Sequence, residues 1–294
     1  MKKRMFAADP KRGKVLPWRR LVQSGALILI LVVVPFCSQN PHHWSHASVD
    51  QAPLPSPSLS RVWGDTWSFS IQGITLTHPT AFFDYLFSGK TLPYLLLVSV
   101  LIPMLVTVLF GRVFCAWICP VGFLLELAAG IHRFLTKRGI ARNLGMRDLR
   151  LPILGVCLVL SFVLSIPVIS IIDPPHMLGR ESILIFTHRE VSVIGICFLG
   201  LILVFELFFV SRAWCRYLCP SGGCLTLLGV RRILRIRADM EKCIDCRRCR
   251  RICPYGLDPA KEDFGKTLDR MTCDSCGLCR DSCPTQAISY RFGK

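Results

Sequence analysis

The chain has 294 residues, 52% of them hydrophobic and only 19% charged, a balance that excludes an ordinary water-soluble domain and points to a lipid-embedded fold. A formal charge of +17 raises nucleic acid as a partner, but no base-reading module is present, and membrane chains gather Lys and Arg on their cytoplasmic side, so no nucleic acid is expected. Sixteen cysteines do not make a disulfide framework, because eight fall in two compact runs with metal-ligand spacing, which needs reduced thiols and a cytoplasmic location.

Residues 1–20 form a basic N-terminus, with eight Lys/Arg against Asp9. Leu21 to Cys37 is the first of four runs long and apolar enough to cross a hydrocarbon core, which takes roughly 20 residues. It resembles a signal sequence, but it exceeds a usual signal core and has no small-x-small site directly after it, so retention is expected. Residues 38–91 are rich in Pro, Ser and His, irregular except for one short strand in "SFSIQGITL"; His42, His43 and His46 read as solvated loop residues. The other runs are Leu92 to Phe110, Leu151 to Ile172 and Val191 to Val210. Lys and Arg number seven in 112–150 and seventeen in 212–294, but two in each of 38–91 and 173–190. The positive-inside rule then puts both termini in the cytoplasm of a four-helix membrane protein.

"GRVFCAWICPVG" at Gly111 and "SRAWCRYLCPSG" at Ser211 align at an offset of one hundred residues, matching Arg112 with Arg212, Cys115 with Cys215, Cys119 with Cys219, Pro120 with Pro220 and Gly122 with Gly222. Each copy precedes an amphipathic basic stretch, so residues 21–230 read as two repeated helix pairs. Thiols four apart share a helix face. The four cysteines are candidates for a metal site, a dithiol redox pair or buried apolar packing. Cys157 and Cys197 lie in apolar runs and read as packing, as does Cys37; Cys224, beside the second motif, fits either reading.

Beyond residue 231, "CIDCRRCRRICP" and "CDSCGLCRDSCP" each follow C-x2-C-x2-C-x3-C-P, the bacterial ferredoxin spacing, in which the fourth cysteine serves the other cluster. Cys243, Cys246, Cys249 and Cys283 should hold one [4Fe-4S] cluster, and Cys273, Cys276, Cys279 and Cys253 a second, in an α+β module spanning 231–294. Structural zinc sites favour paired C-x2-C units across a longer loop. Arg247, Arg248, Arg250 and Arg251 crowd the first run, where positive charge raises a cluster's potential or meets anionic lipid.

Two one-electron clusters suit a two-electron quinol donor, which needs a proton acceptor at the bilayer edge. "IIDPPHMLGRESI" offers Asp173, His176, Arg180 and Glu181, with Pro174 and Pro175 expected to stop the helix. Glu206 is an intramembrane carboxylate within reach of Arg212. No C-x-x-C-H haem motif and no dinucleotide glycine fingerprint is present.

Together, the four runs, the paired CxxxCP motifs and the double ferredoxin run resemble the NapH/MauN group of membrane-bound ferredoxin-type proteins, with related arrangements in NosR-like and CcoG-like proteins. The resemblance implies a quinol dehydrogenase component of the bacterial inner membrane. It would pass electrons toward a periplasmic reductase such as nitrate reductase, with a soluble iron-sulfur partner. It also leaves open an assembly factor that matures a client metalloenzyme of the methylamine dehydrogenase or cytochrome oxidase type.

Overall fold

The computed structural model describes residues 15–29, 62–64, 68–71, 74–89, 94–141, 146–187, 192–260 and 272–293. The histidines at 42, 43 and 46, Cys37 and the end of the first apolar run lie outside the described residues. Helix α1, Val15–Ile28, is amphipathic in an inverted sense: Arg19 and Gln23, four apart on one face, are fully buried, whereas Trp18 and Leu21 are exposed. Arg19 Nε and Gln23 Nε2 both donate to the Ala116 carbonyl, at 3.2 and 2.8 Å, and the Arg19 guanidinium pairs with Glu126.

The single strand expected in "SFSIQGITL" is two: β2, Ser68–Ile71, and β3, Ile74–Thr77, pair antiparallel, with β1, Val62–Gly64, on the other edge of β2. Helix α2, Pro79–Phe87, begins at Pro79 with His78 as its N-cap. Its buried Asp84 accepts from Ser161 Oγ at 2.7 Å and from the Ser170 N–H at 3.0 Å, pinning α2 to the third apolar run.

The four expected transmembrane helices are not borne out, because among the described residues no helix is long and apolar enough to cross a membrane. The second run gives α3, Tyr94–Phe110, of 17 residues, ended by Gly111 at φ +77°. After α4, Val113–Trp117, comes α5, Pro120–Lys137, which is longer but carries Glu126, His132 and Arg133. The third run breaks at Ser165, whose φ is +53°, and Pro167, giving α6, Arg150–Leu164, and α7, Val168–Ile172. The fourth gives α9, Val193–Phe208, of 16 residues. At 1.5 Å per residue, 17 residues cover about 26 Å, short of the roughly 30 Å hydrocarbon core. The segment read as a loop after Ile172 is instead helix α8, Pro174–Thr187. Pro174 and Pro175 start that helix, since a proline in the first turn gives up no hydrogen bond. Exposed apolar rows nevertheless run along three helices: Leu97, Leu101 and Leu105 on α3, Val156, Val159 and Val163 on α6, and Ile194, Leu201 and Val204 on α9.

A π-helical turn, Trp214–Leu218, leads into α10, Pro220–Leu228, and the basic stretch after it becomes β4, Leu234–Ala238. β4 pairs antiparallel with β5, Ile288–Phe292, placing Ile236 opposite Tyr290. Between these strands the two cysteine runs fold alike. The third cysteine of each sits on a short helix, Cys249 on α11, Arg248–Ile252, and Cys279 on α12, Leu278–Ser282. Left-handed residues recur at matching places, Asp245 and Arg247 in one run, Ser275 and Gly277 in the other. Gly277 is the position where only glycine serves: its φ is +78°, and a Cβ would lie 2.6 Å from Tyr290 Oη and 2.7 Å from Val15 Cγ1. Gly277→Ala is expected to lower stability by about 2 kcal/mol, read as a fall in denaturation midpoint, because strain and clash coincide.

Candidate functional site

Each CxxxCP copy turns its last two residues into a helix start. Cys119 and Cys219 are the N-caps of α5 and α10, proline is the first helical residue, and the N–H of the glycine three residues on donates to the cysteine sulfur. The N···S distances are 3.4 Å for Gly122 to Cys119 and 3.2 Å for Gly222 to Cys219. A Cβ on Gly122 would come within 2.7 Å of the Cys115 carbonyl, and one on Gly222 would stand 3.2 Å from Arg112 Nη2.

The two copies meet. Cys115, Cys119 and Cys219 line one small cavity with His78, Asp173 and Ser221, and Cys215 packs against Cys119. Asp173 is buried there, accepting from Ser221 Oγ at 2.9 Å and facing Cys219 Sγ at 3.8 Å. His78 Nδ1 accepts from the Thr80 N–H at 3.3 Å, leaving the ring proton on Nε2, and burial pulls the imidazole pKa down to about 4, so the ring is neutral. Burial likewise pushes all four thiols up, Cys215 to about 12 despite the opposing pull of Arg212, and Cys119 and Cys219 further with help from neighbouring thiols and Asp173. At neutral pH these are protonated thiols rather than ready nucleophiles.

Glu206 and Glu181, also expected at this site, do not line that cavity. Glu206 is buried but accepts from the Trp214 N–H at 2.8 Å, bracing the turn that carries Cys215, and no ion pair joins it to Arg212. Glu181 accepts from the Ser192 N–H at 3.0 Å and has Arg180 Nη2 3.5 Å away, fixing the start of α9. Cys157 and Cys224 are both buried in one apolar cluster with Ile169 and Leu154.

The ferredoxin-like end presents two cavities. One is rimmed by Cys243, Cys246, Cys249 and Cys283, the other by Cys253, Cys273, Cys276 and Cys279. The grouping follows the crossed pattern, in which the fourth cysteine of each run joins the other set. Among the described residues no three His, Cys, Asp or Glu side chains gather closely enough for a single metal ion. Thiols that ring a space suit a polynuclear cluster, where each meets a different iron. The donor set fits in detail. Nearby main-chain N–H groups favour the thiolate form: Tyr255 and Leu257 at Cys253, Leu278 at Cys276, Arg280 at Cys279, and Thr285, Ala287 and Ile288 at Cys283.

The second cavity is linked to the thiol chamber through Arg112, already matched with Arg212 in the repeat, and Tyr255, which the sequence reading passed over. Tyr255 lines the cavity of Cys253 and Cys273, and the Arg112 guanidinium lies over its ring at 5.3 Å, with Nη2 3.5 Å from Tyr255 Oη. Arg112 Nη1 also donates to the Thr272 carbonyl at 3.1 Å, Trp117 Nε1 to that of Ser275 at 3.5 Å, Arg19 Nη1 to that of Cys276 at 3.5 Å, and Arg232 to that of Cys273. Arg112 and Arg212, one from each repeat, are both buried. The clue lay in the repeat itself, since a buried arginine held at the same place in both copies needs a shared partner.

Comparison with known proteins agrees with this arrangement. A family described as a 4Fe-4S binding domain matches twice, at residues 92–139 and 191–237, one match per CxxxCP copy, and a 4Fe-4S dicluster domain matches residues 242–288. The methylamine utilization ferredoxin-type protein MauN of Methylobacillus flagellatus is 32% identical over 243 residues, covering 80% of this chain and 83% of its own. The chain belongs to the NapH/MauN group of ferredoxin-type proteins. The ferredoxin-type protein NapH of Haemophilus influenzae is 30% identical, covering 65% of this chain and 66% of its own, and the putative electron transport protein YccM of Escherichia coli is 31% identical, over 65% and 53%. No solved structure matches. As a NapH/MauN-type protein with 4Fe-4S domains, it is an iron-sulfur electron-transfer protein.

Proposed function

We propose that the protein is a quinol dehydrogenase component that carries electrons from a membrane quinol toward a partner reductase, using two [4Fe-4S] clusters held by the two crossed cysteine sets. Each cluster, when bound, takes up and gives away one electron. The observation that carries the reading is the cavity shared by the two repeats. His78 offers an Nε2–H donor and Asp173 a carboxylate acceptor, the pair that a quinol hydroxyl needs, at one cavity of about 30 Å³ lined by three thiols, with room for the hydroxyl but not for the ring. Arg112 and Tyr255 bridge that chamber to the cavity of Cys253, Cys273, Cys276 and Cys279.

The apolar rows on α3, α6 and α9 support a lipid association, since rows of this length leave a large surface that water does not favour. The cysteine-rich module would face the reducing, cytoplasmic side, where thiols persist. A soluble iron-sulfur carrier and a periplasmic reductase such as nitrate reductase are the partners this role requires. The alternative role is maturation of a client metalloenzyme, favoured by the relative named for methylamine utilization.

The test mixes cluster-loaded protein anaerobically with a reduced quinol and follows cluster reduction by EPR. Reduction is expected, with a rate at least tenfold lower in Cys119→Ala/Cys219→Ala and in Asp173→Asn while iron content holds. Unchanged reduction in these variants, together with a client enzyme lacking its cofactor, would favour maturation.

A further inference from the structure

The two cysteine cavities are inequivalent in their surroundings. Cys273, Cys276 and Cys279 are buried, and the main chain beside them is held by Arg19, Arg112, Trp117 and Arg232. The other set opens outward: Cys246 is exposed and Cys243 half-buried. Beside Cys246 lies an open cleft of about 700 Å³ lined by Arg216, Arg247, Arg250, Arg251 and Gly256. Arg251 Nη2 donates to the Cys246 carbonyl at 3.3 Å, so this charge is fixed at the mouth of the cysteine set. Arg216 lies over the Tyr217 ring at 4.9 Å and reaches the cleft across Gly256, whose added Cβ would stand 3.1 Å from Arg216 Nη2. Among the described residues, Asp245, itself exposed, lies 3.6 Å from Arg247 Nε.

We propose that this arginine cleft is the docking site of an acidic one-electron carrier protein, which exchanges electrons with the cluster site of Cys243, Cys246, Cys249 and Cys283. The inference rests on the electron-carrier reading and deepens it by fixing where the soluble partner sits. The cleft is too open to enclose a small ligand, and four guanidiniums around an exposed cluster ligand are what a carboxylate-rich surface meets when it must approach closely. Anionic lipid would also be attracted, but a lipid headgroup gains nothing from an exposed cluster cysteine, whereas a redox partner needs that proximity. In the transfer, one electron leaves the carrier and one is gained at the cysteine site, and the reverse holds for the opposite direction. The chain then has a polarity: carrier at the arginine cleft, thiol chamber at the buried end.

The test uses full-length, cluster-loaded protein in lipid nanodiscs and a reduced acidic flavodoxin as the probe, with electron arrival followed by stopped-flow absorbance. The second-order rate is expected to fall steeply with added salt, and Arg250→Glu/Arg251→Glu to lower it at least tenfold at low salt. Arg250→Lys/Arg251→Lys, which keeps the charge, should retain most of the rate, and iron and sulfide content reports that each variant is loaded. A salt-independent rate untouched by the charge reversal overturns the proposal. So does an unchanged carrier rate accompanied by lost binding to anionic vesicles, which would assign the cleft to lipid. Failure of photoreduced deazaflavin to reduce any cluster defeats the electron-carrier reading itself, and the docking site with it. Reduction by deazaflavin but not by flavodoxin defeats the docking site alone.

Discussion

Cys253→Ser and Cys273→Ser are expected to abolish the same cluster, although the first residue lies in the other sequence run. Each variant should lose about four irons per chain, and the double variant no more than either alone. Cys283→Ser should instead match Cys243→Ser, and Cys253→Ser combined with Cys283→Ser should strip both sites. The expectation follows from the two cavities, one lined by Cys253, Cys273, Cys276 and Cys279, the other by Cys243, Cys246, Cys249 and Cys283. Iron and sulfide analysis with EPR of the reduced protein checks it. If Cys253→Ser behaved like Cys243→Ser, each run would hold its own cluster and the crossed assignment would fail.

Glu126→Gln should be among the most destabilising single changes in the chain. Arg19 is fully buried at the junction of α1, α4 and the cysteine module, and Glu126 is its carboxylate partner. Removing that charge leaves an uncompensated guanidinium away from water, a loss of about 3–5 kcal/mol. Arg20 reaches the same carboxylate at 3.0 Å, but its side chain is 42% exposed, so Arg20→Ala should change stability by less than about 1 kcal/mol. Denaturation midpoints of the two variants give the comparison, and accelerated proteolysis within 15–28 should accompany Glu126→Gln as α1 detaches. Equal effects from the two substitutions would refute a structural role for the buried pair.

Hydropathy misjudged the helices for a physical reason. A running apolar count sees residues 151–172 as one stretch, but a left-handed Ser165 and Pro167 cut it in two, and the backbone leaves α9 after Phe208 to build the turn under Cys215. Composition reports which side chains avoid water, not where the main chain changes direction. The prolines at 174 and 175 stop the preceding helix at Ile172 as expected, and they also begin the next one.

The sequence by itself determined the chemistry. Thiol spacing is local and specifies cluster ligation, and the hundred-residue repeat declared two equivalent cysteine turns before any fold was known. Only the tertiary structure decided which polar groups share a space. It brought His78 from the distant N-terminal half to Asp173 and the repeated thiols, bonded Glu206 to the Trp214 N–H beneath the turn of Cys215, and stacked Arg112 on Tyr255. Such pairings span many tens of residues with no periodicity linking them. They arise because buried charge must find a partner once the apolar rows have turned outward, and that partner is chosen by packing rather than by neighbours in the chain.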